Sequence, residues 1–182
     1  KLVNYRYNLD RLEITSKTGK IQVVESASEG INRQYAGTLR LQPNAYGNYT
    51  LVNDVLLETY LRGVVPHEIG GDAPDAALQA QAILARTYVL RNLHRFEVDN
   101  YHLCADVNCQ VYKGIGDTVA RADRAIASTA GLVLTYGDEL VDALYFATSG
   151  GVTAAYTDVW EGQPRPYLTA VLDSTKPLWD FT

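Results

Sequence analysis

Residues 74–93 read PDAALQAQAILARTYVLRNL, and this stretch restricts the fold more than any other part of the chain. Alanine has the highest helix propensity, and Ala76, Ala77, Ala80, Ala82 and Ala85 recur with no glycine and no internal proline. Pro74 suits the first turn of a helix, where its missing N–H has no intrahelical partner in any case. Asp75 complements the positive end of the helix dipole. The run therefore predicts a helix from Pro74 to about Leu93. Its small side chains let neighbouring elements approach closely, so the helix is expected to be central and largely buried. Gln81, Arg86 and Tyr88 would then need polar partners inside the protein.

The segments before it have a different character. Leu12-Glu13-Ile14-Thr15 and Ile21-Gln22-Val23-Val24 read as strands separated by a Thr18-Gly19-Lys20 turn. Tyr35 to Leu41 and Tyr49 to Val52 read as further strands, with Pro43-Asn44-Ala45-Tyr46-Gly47-Asn48 as loop between them. Asn53 or Asp54 is the expected cap of a short helix carrying Leu57, Tyr60, Leu61 and Val64 on one face, stopped by Pro66. His67 to Asp72 then reads as loop. Past the central helix, Tyr101 to Gly116 is irregular, and Thr118 to about Thr129 is a second helix with Gly131 beyond its end. Leu132 to Tyr136, Gly137-Asp138 and Glu139 to Phe146 form a hairpin pattern, glycine at the first turn position favouring a type II′ turn. Asp158 to Thr182 reads as ordered loop. The expectation is an α+β fold, a single mixed domain with the Ala-rich helix packed against antiparallel β-structure. Residues 1–52 form its β-rich N-terminal part and residues 53–182 its core.

Bulk composition narrows the partners. Hydrophobic residues make up 47% of the 182 residues and charged residues 20%, a globular balance. A net charge of −5 with no basic stripe argues against nucleic acid. No apolar run approaches the roughly 18 residues of a membrane helix. The chain begins at Lys1 and contains no methionine, which reads as a processed or trimmed product and is compatible with the removal of an export signal.

Candidate chemistry is sparse. Glu68 stands between Pro66-His67 and Ile69-Gly70-Gly71. A carboxyl group held against apolar neighbours resists ionisation and can serve as a general acid, whereas a solvated loop glutamate does neither. His102, Cys104 and Cys109 offer two or three soft ligands for zinc, short of the four a structural site requires. The same two cysteines are close enough for a disulfide, or they are two free thiols. Ser149 lies outside a nucleophile elbow, and neither Gly70-Gly71 nor Gly150-Gly151 is followed by the Lys-Ser or Lys-Thr of a phosphate loop.

Three groups of residues, in order, carry a family resemblance. Tyr60 to Glu68 followed by Ala76 to Tyr88 resembles the core signature of the SpoIID/LytB family. Cys109-Gln110-Val111-Tyr112-Lys113-Gly114 resembles its second motif. Thr148-Ser149-Gly150-Gly151 with Asp158-Val159-Trp160 resembles its third, and Pro166-Tyr167-Leu168 the element that follows. The match spans about residues 51–173. Three departures stand out. Ile69-Gly70 replaces a frequent Met-Pro, Phe146-Ala147 stands where many members have a histidine, and Asn108 replaces a histidine before the motif cysteine.

The resemblance implies an exported protein of the cell envelope, in periplasm or cell wall. It implies a peptidoglycan lytic transglycosylase that cleaves MurNAc–GlcNAc linkages of glycan strands denuded of stem peptides, leaving 1,6-anhydro-muramyl ends. The catalytic glutamate of the family maps onto Glu68. Arg86, Gln110, Tyr112, Ser149 and Gly150 are then expected to bind substrate, and Cys104, Cys109 and His102 to hold zinc if a metal is present. LytB-type members act differently, as modifiers of a cell-wall amidase. The competing expectation is therefore a non-cleaving protein that grips glycan strands or a cell-wall amidase.

Overall fold

The structure is a computed structural model, and it describes residues 4–8, 11–24 and 32–173. It is a single mixed α+β domain. Six strands come first: β1 (Asn4–Asn8), β2 (Arg11–Thr15), β3 (Lys20–Val24), β4 (Asn32–Ala36), β5 (Thr38–Pro43) and β6 (Tyr49–Asp54). Four form an antiparallel sheet in the order β1-β2-β5-β6, while β3 and β4 pair separately. The Thr18-Gly19-Lys20 turn thus joins strands of two different sheets, not the arms of one hairpin. The expected single strand Tyr35–Leu41 is likewise two strands. Gly37 divides it, with a φ of +77° and no space for a side chain, since a Cβ there would lie 2.1 Å from the carbonyl oxygen of Asp54.

The sheet is fastened to the rest of the domain by polar groups. Leu39 is buried on one side, and Arg40 and Gln42 are buried too. The Arg40 guanidinium pairs with the Asp54 carboxylate and donates to the backbone oxygen of Asn100. Gln42 Nε2 donates to the backbone oxygen of Asp99 at 2.7 Å. A residue pattern that alternates inside and outside can therefore bury both of its faces, provided the polar face meets a turn that supplies acceptors.

Two short helices follow. The first, α1 (Leu57–Arg62), begins after Leu56 without a side-chain cap, because Asn53 and Asp54 belong to β6. The second, α2 (Val65–Glu68), contains Pro66 in its first turn. Proline was expected to end a helix here, and instead it starts one, since its ring tolerates first-turn positions. Glu68 accordingly closes a helical turn and is not a free loop residue. Gly63, between the two helices, has no room for a side chain: a Cβ would lie 2.2 Å from the Gly114 carbonyl oxygen and 2.6 Å from the Tyr112 ring.

The Ala-rich run forms α3 (Asp75–Arg91), with Pro74 immediately before its first residue. Leu78, Ala82 and Ala85 are fully buried. They pack with Leu61, Val64 and Val65 and with Ala122, Ala125 and Ile126 of α4 (Ala120–Ser128). A second apolar group joins Tyr88 to Cys109, Val141 and Ala143. A short hairpin, β7 (Thr135–Tyr136) and β8 (Glu139–Leu140), turns at Gly137-Asp138 as its pattern predicts. The expected ordered loop from Asp158 onward begins inside a short helix, α5 (Tyr156–Val159), and its Leu172 forms a bridge to Val152. The remainder of that expectation, residues 174–182, lies outside the described residues. Among the described residues no helix is long and apolar enough to cross a membrane.

Arg86 supplies the polar centre of the helical half. It is 1% exposed. Its Nε and Nη2 form a two-pronged pair with the Glu58 carboxylate at 2.7 and 2.8 Å, and Nη1 donates to the Leu132 carbonyl at 3.0 Å. Arg86→Ala leaves these acceptors without a donor and opens a cavity, so a loss of about 3 kcal/mol or outright failure to fold is expected. Urea unfolding of the variant measures this, and a loss below about 1 kcal/mol would refute the central role of the guanidinium.

Candidate functional site

Glu68 is placed by the last turn of α2, which rests on the core through the fully buried Val64 and Val65. Its Oε1 accepts the backbone N–H of Val111 at 2.6 Å. That single bond joins α2 to the irregular segment 101–116 and fixes the orientation of the carboxyl group. The side chain is only partly buried, and the next residue, Ile69, is 38% exposed. The carboxyl group is therefore both held and reachable.

The segment that supplies Val111 is itself anchored. Gln110 is fully buried; its Nε2 donates to the Ala85 carbonyl of α3 at 3.3 Å, and its Oε1 accepts from the Tyr60 hydroxyl at 3.1 Å. Tyr112, also buried, donates from its hydroxyl to Asn53 Oδ1 at 2.7 Å and packs its ring against Tyr60, centroids 4.8 Å apart. Both flanks of Val111 are thus pinned to the core.

These contacts correct part of the substrate-binding expectation. Arg86, Gln110 and Tyr112 are buried and cannot touch a ligand at the surface. They brace the scaffold, since a buried polar group requires partners and each of these finds them inside the protein. Ser149 and Gly150 do lie at the surface, in a turn where Ser149 Oγ accepts the N–H of Gly151 at 3.1 Å.

The metal expectation is corrected outright. Cys104 and Cys109 form a disulfide, with Cα atoms 5.6 Å apart. Neither sulfur is then a thiolate able to ligate zinc. His102 is exposed, and no cluster of three or more His, Cys, Asp or Glu side chains suited to a metal occurs among the described residues. The spacing alone left thiolate ligands, disulfide and free thiols open, and chain geometry decides among them.

Two neighbours of Glu68 escaped the sequence reading. Tyr145 approaches the Glu68 carboxyl and Gln110, and burial, followed by the nearby Glu68 charge, pushes its phenol well above its ordinary value. A tyrosine between Leu144 and Phe146 reads as strand packing, so nothing in the pattern marked it. His67 lies beside Glu68, Lys113 and Asp117; burial and then the Lys113 charge push its imidazole below the ordinary value. It is therefore neutral at pH 7. The third motif ends in a stacked pair, Tyr156 and Trp160, with ring centroids 5.5 Å apart and Arg165 over the Tyr156 ring.

A cavity of about 460 Å³ lies elsewhere, between β5, β6, the C-terminal end of α3 and residues 100–105. Glu68 does not line it, although Tyr60 and Tyr112 form part of its wall. Its size reflects the seam between sheet and helices. The Glu68 carboxyl group, held by a backbone N–H and partly open to solvent, is the better marker of chemistry.

The family model described as stage II sporulation protein, SpoIID, matches residues 45–136, half of the chain, and that span contains α2, α3 and the disulfide segment. The chain belongs to the SpoIID family. Its similarity to stage II sporulation protein D of Bacillus subtilis (strain 168) is 31% identity over 80% of this chain and 46% of that protein. An amidase enhancer of the same organism is 33% identical over 67% of this chain and 16% of its own length. An uncharacterized protein of Brachyspira hyodysenteriae is 33% identical over 76% of this chain and 37% of its own. The chain thus spans less than half the length of each of these relatives. Within this SpoIID-family chain, Glu68, Val111 and the disulfide all fall inside the matched span.

Closing a short loop with a disulfide stabilises the folded state by about 2 kcal/mol on a chain-entropy basis. Cys104→Ser with Cys109→Ser is therefore expected to lower unfolding free energy by about that amount in urea. Thiol titration of the unreduced, unfolded wild type should find no free thiol. Two reactive thiols accompanied by bound zinc would restore the metal assignment.

Proposed function

We propose that this chain cleaves peptidoglycan glycan strands as a lytic transglycosylase, with Glu68 as the one acid and base. The observation that carries this reading is the Glu68 carboxyl group, oriented by the Val111 N–H on Oε1 and still partly open to solvent. The stage II sporulation protein D and amidase enhancer relatives support the coarser statement, a protein associated with the cell wall.

The chemistry follows from having one carboxyl group. Hydrolysing glycosidases use two, one to protonate the leaving oxygen and one to engage water or the sugar. Of the acids in the neighbouring segments, Glu58 pairs with Arg86 and Asp75 with Arg121, while Asp72 and Asp117 are exposed, Asp117 beside His67. A lytic step needs no second carboxylate. Protonated Glu68 gives its proton to the oxygen linking MurNAc to GlcNAc, and the C1–O bond breaks. The C6 hydroxyl of the same muramic ring attacks C1, its proton passes to the Glu68 carboxylate, and a 1,6-anhydro ring closes. Glu68 ends protonated, ready for the next strand, and water takes no part.

Substrate lacking stem peptides fits a carboxyl group set at the end of a single helical turn, since bulky peptides beside MurNAc would crowd its approach. Half-buried Ser149 and exposed Gly150, following the segment that carries Tyr145, are the groups we assign to glycan contact. One specific observation favours a second reading. Similarity to the amidase enhancer supports a protein that engages a cell-wall amidase or grips glycan without cutting it.

Glu68→Gln keeps the shape and the acceptor oxygen but cannot deliver a proton. Incubated with amidase-treated peptidoglycan, the wild type is expected to release anhydro-muramyl products detectable by mass spectrometry. The variant is expected to fall by at least about a hundred-fold with an unchanged melting temperature. Product from the variant at wild-type levels removes Glu68 from the mechanism. Absence of product from both proteins selects the amidase-engaging or glycan-gripping reading.

A further inference from the structure

The hydroxyl of Tyr145 is an anomaly. Its Oη is shielded from solvent and has no hydrogen-bond partner among the described residues. A buried polar group left in that state costs about 1–3 kcal/mol, so native structures retain one chiefly where it serves another purpose. Its surroundings are specific. Glu68 and Gln110 both lie within hydrogen-bonding range of the phenol and shift it, yet its hydroxyl completes no well-formed hydrogen bond with either. Gln110 cannot turn freely toward it, because its amide is committed to the Ala85 carbonyl and the Tyr60 hydroxyl. The Glu68 carboxyl is committed through Oε1 alone.

The donor inventory then leaves one pairing. A tyrosine hydroxyl carries one proton to donate, and a carboxylate has two oxygens able to accept. One oxygen of Glu68 holds the Val111 N–H, and the other makes no hydrogen bond among the described residues. We propose that Tyr145 is a positioning residue for Glu68, its hydroxyl donating to the carboxylate in the state that follows proton delivery. This rests on Glu68 being the acid and base of the cleavage proposed above.

The arrangement has a chemical logic. Glu68 must alternate between protonated acid and charged base within one turnover. A donor that engages only the charged form stabilises the carboxylate formed when the leaving oxygen is protonated, and holds it oriented toward the C6 hydroxyl. Burial keeps the Tyr145 phenol protonated across the working pH range, so it serves as donor and not as a competing base. The fixed Tyr60–Gln110–Ala85 chain on its other side prevents the ring environment from relaxing away.

Tyr145→Phe removes the hydroxyl and keeps the ring. With amidase-treated glycan strands, kcat is expected to fall about ten-fold or more while KM stays within about two-fold, and the pH–rate profile is expected to move to higher pH, because the charged form of Glu68 has lost a donor. A purely structural tyrosine would lower the melting temperature and leave the profile in place. A second measurement is independent of turnover: carbon-detected NMR of the Glu68 carboxyl, which should titrate at higher pH in Tyr145→Phe than in the wild type. An unchanged kcat and unchanged titration overturn the positioning role while leaving Glu68 as the acid. If the wild type releases no product, the cleavage reading fails, and the titration alone decides whether Tyr145 engages Glu68.

Discussion

The buried guanidinium of Arg86 is the interaction on which the other contacts rest. It ties α3 to α1 through Glu58 and to the chain entering the hairpin through the Leu132 carbonyl. The next residue, Thr87, accepts the N–H of Leu134 and donates to the Ile83 carbonyl, anchoring the same chain a second time. An arginine in this position needs the small residues around it, because Ala82 and Ala85 leave the volume its side chain crosses. The alanines allow α1, α2 and α4 to close on α3, and the arginine determines where the next segments attach. From that frame α2 presents Glu68 on one side, and Gln110 reaches the Ala85 carbonyl on the other.

How much of this was legible in the sequence depends on range. Helix α3 was readable almost to its ends, because propensity, start signals and the absence of breakers agree over many residues. The need of Arg86 for partners was readable too, since a charge in an Ala-rich helix of a small domain has nowhere else to go. Its partner Glu58 was not, because the pairing depends on how two helices cross. The helical turn of α2 was missed for a local reason: Pro66 breaks a helix that has begun and favours one that is beginning, and sequence alone does not say which applies. The split of β4 from β5 at Gly37 turns on a contact with Asp54, far along the chain. Glu68 stood out as a candidate through its neighbours and its motif. Tyr145 was not, because a buried tyrosine in a strand pattern looks like packing until its hydroxyl is traced.

The site illustrates how a short, weak element becomes precise. A four-residue helix has almost no stability of its own, since nucleation costs more than its few hydrogen bonds return. It is held from outside, by Val64 and Val65 in the core and by the close approach of residues 112–114 at Gly63. The carboxyl group at its end then inherits the rigidity of α3 without belonging to it. This separation has a functional advantage. A carboxyl group in the middle of a long packed helix would be buried or fully solvated, whereas one at the end of a supported turn can be oriented and still meet a ligand.

The disulfide completes the same logic from the other side. Residues 101–116 form no helix or paired strand, so isolated backbone bonds, such as that from Lys113 N–H to the Gly63 carbonyl, are all that their main chain adds to the Val111 N–H on Glu68. The covalent link between Cys104 and Cys109 restricts the chain immediately before Gln110, and Gln110 and Tyr112 then pin it on either side of Val111. A metal bound by the same cysteines would impose a similar restriction, because both devices reduce the conformational freedom of the segment before it folds. What the site requires of these cysteines is therefore confinement, not sulfur chemistry. A disulfide provides it without a fourth ligand.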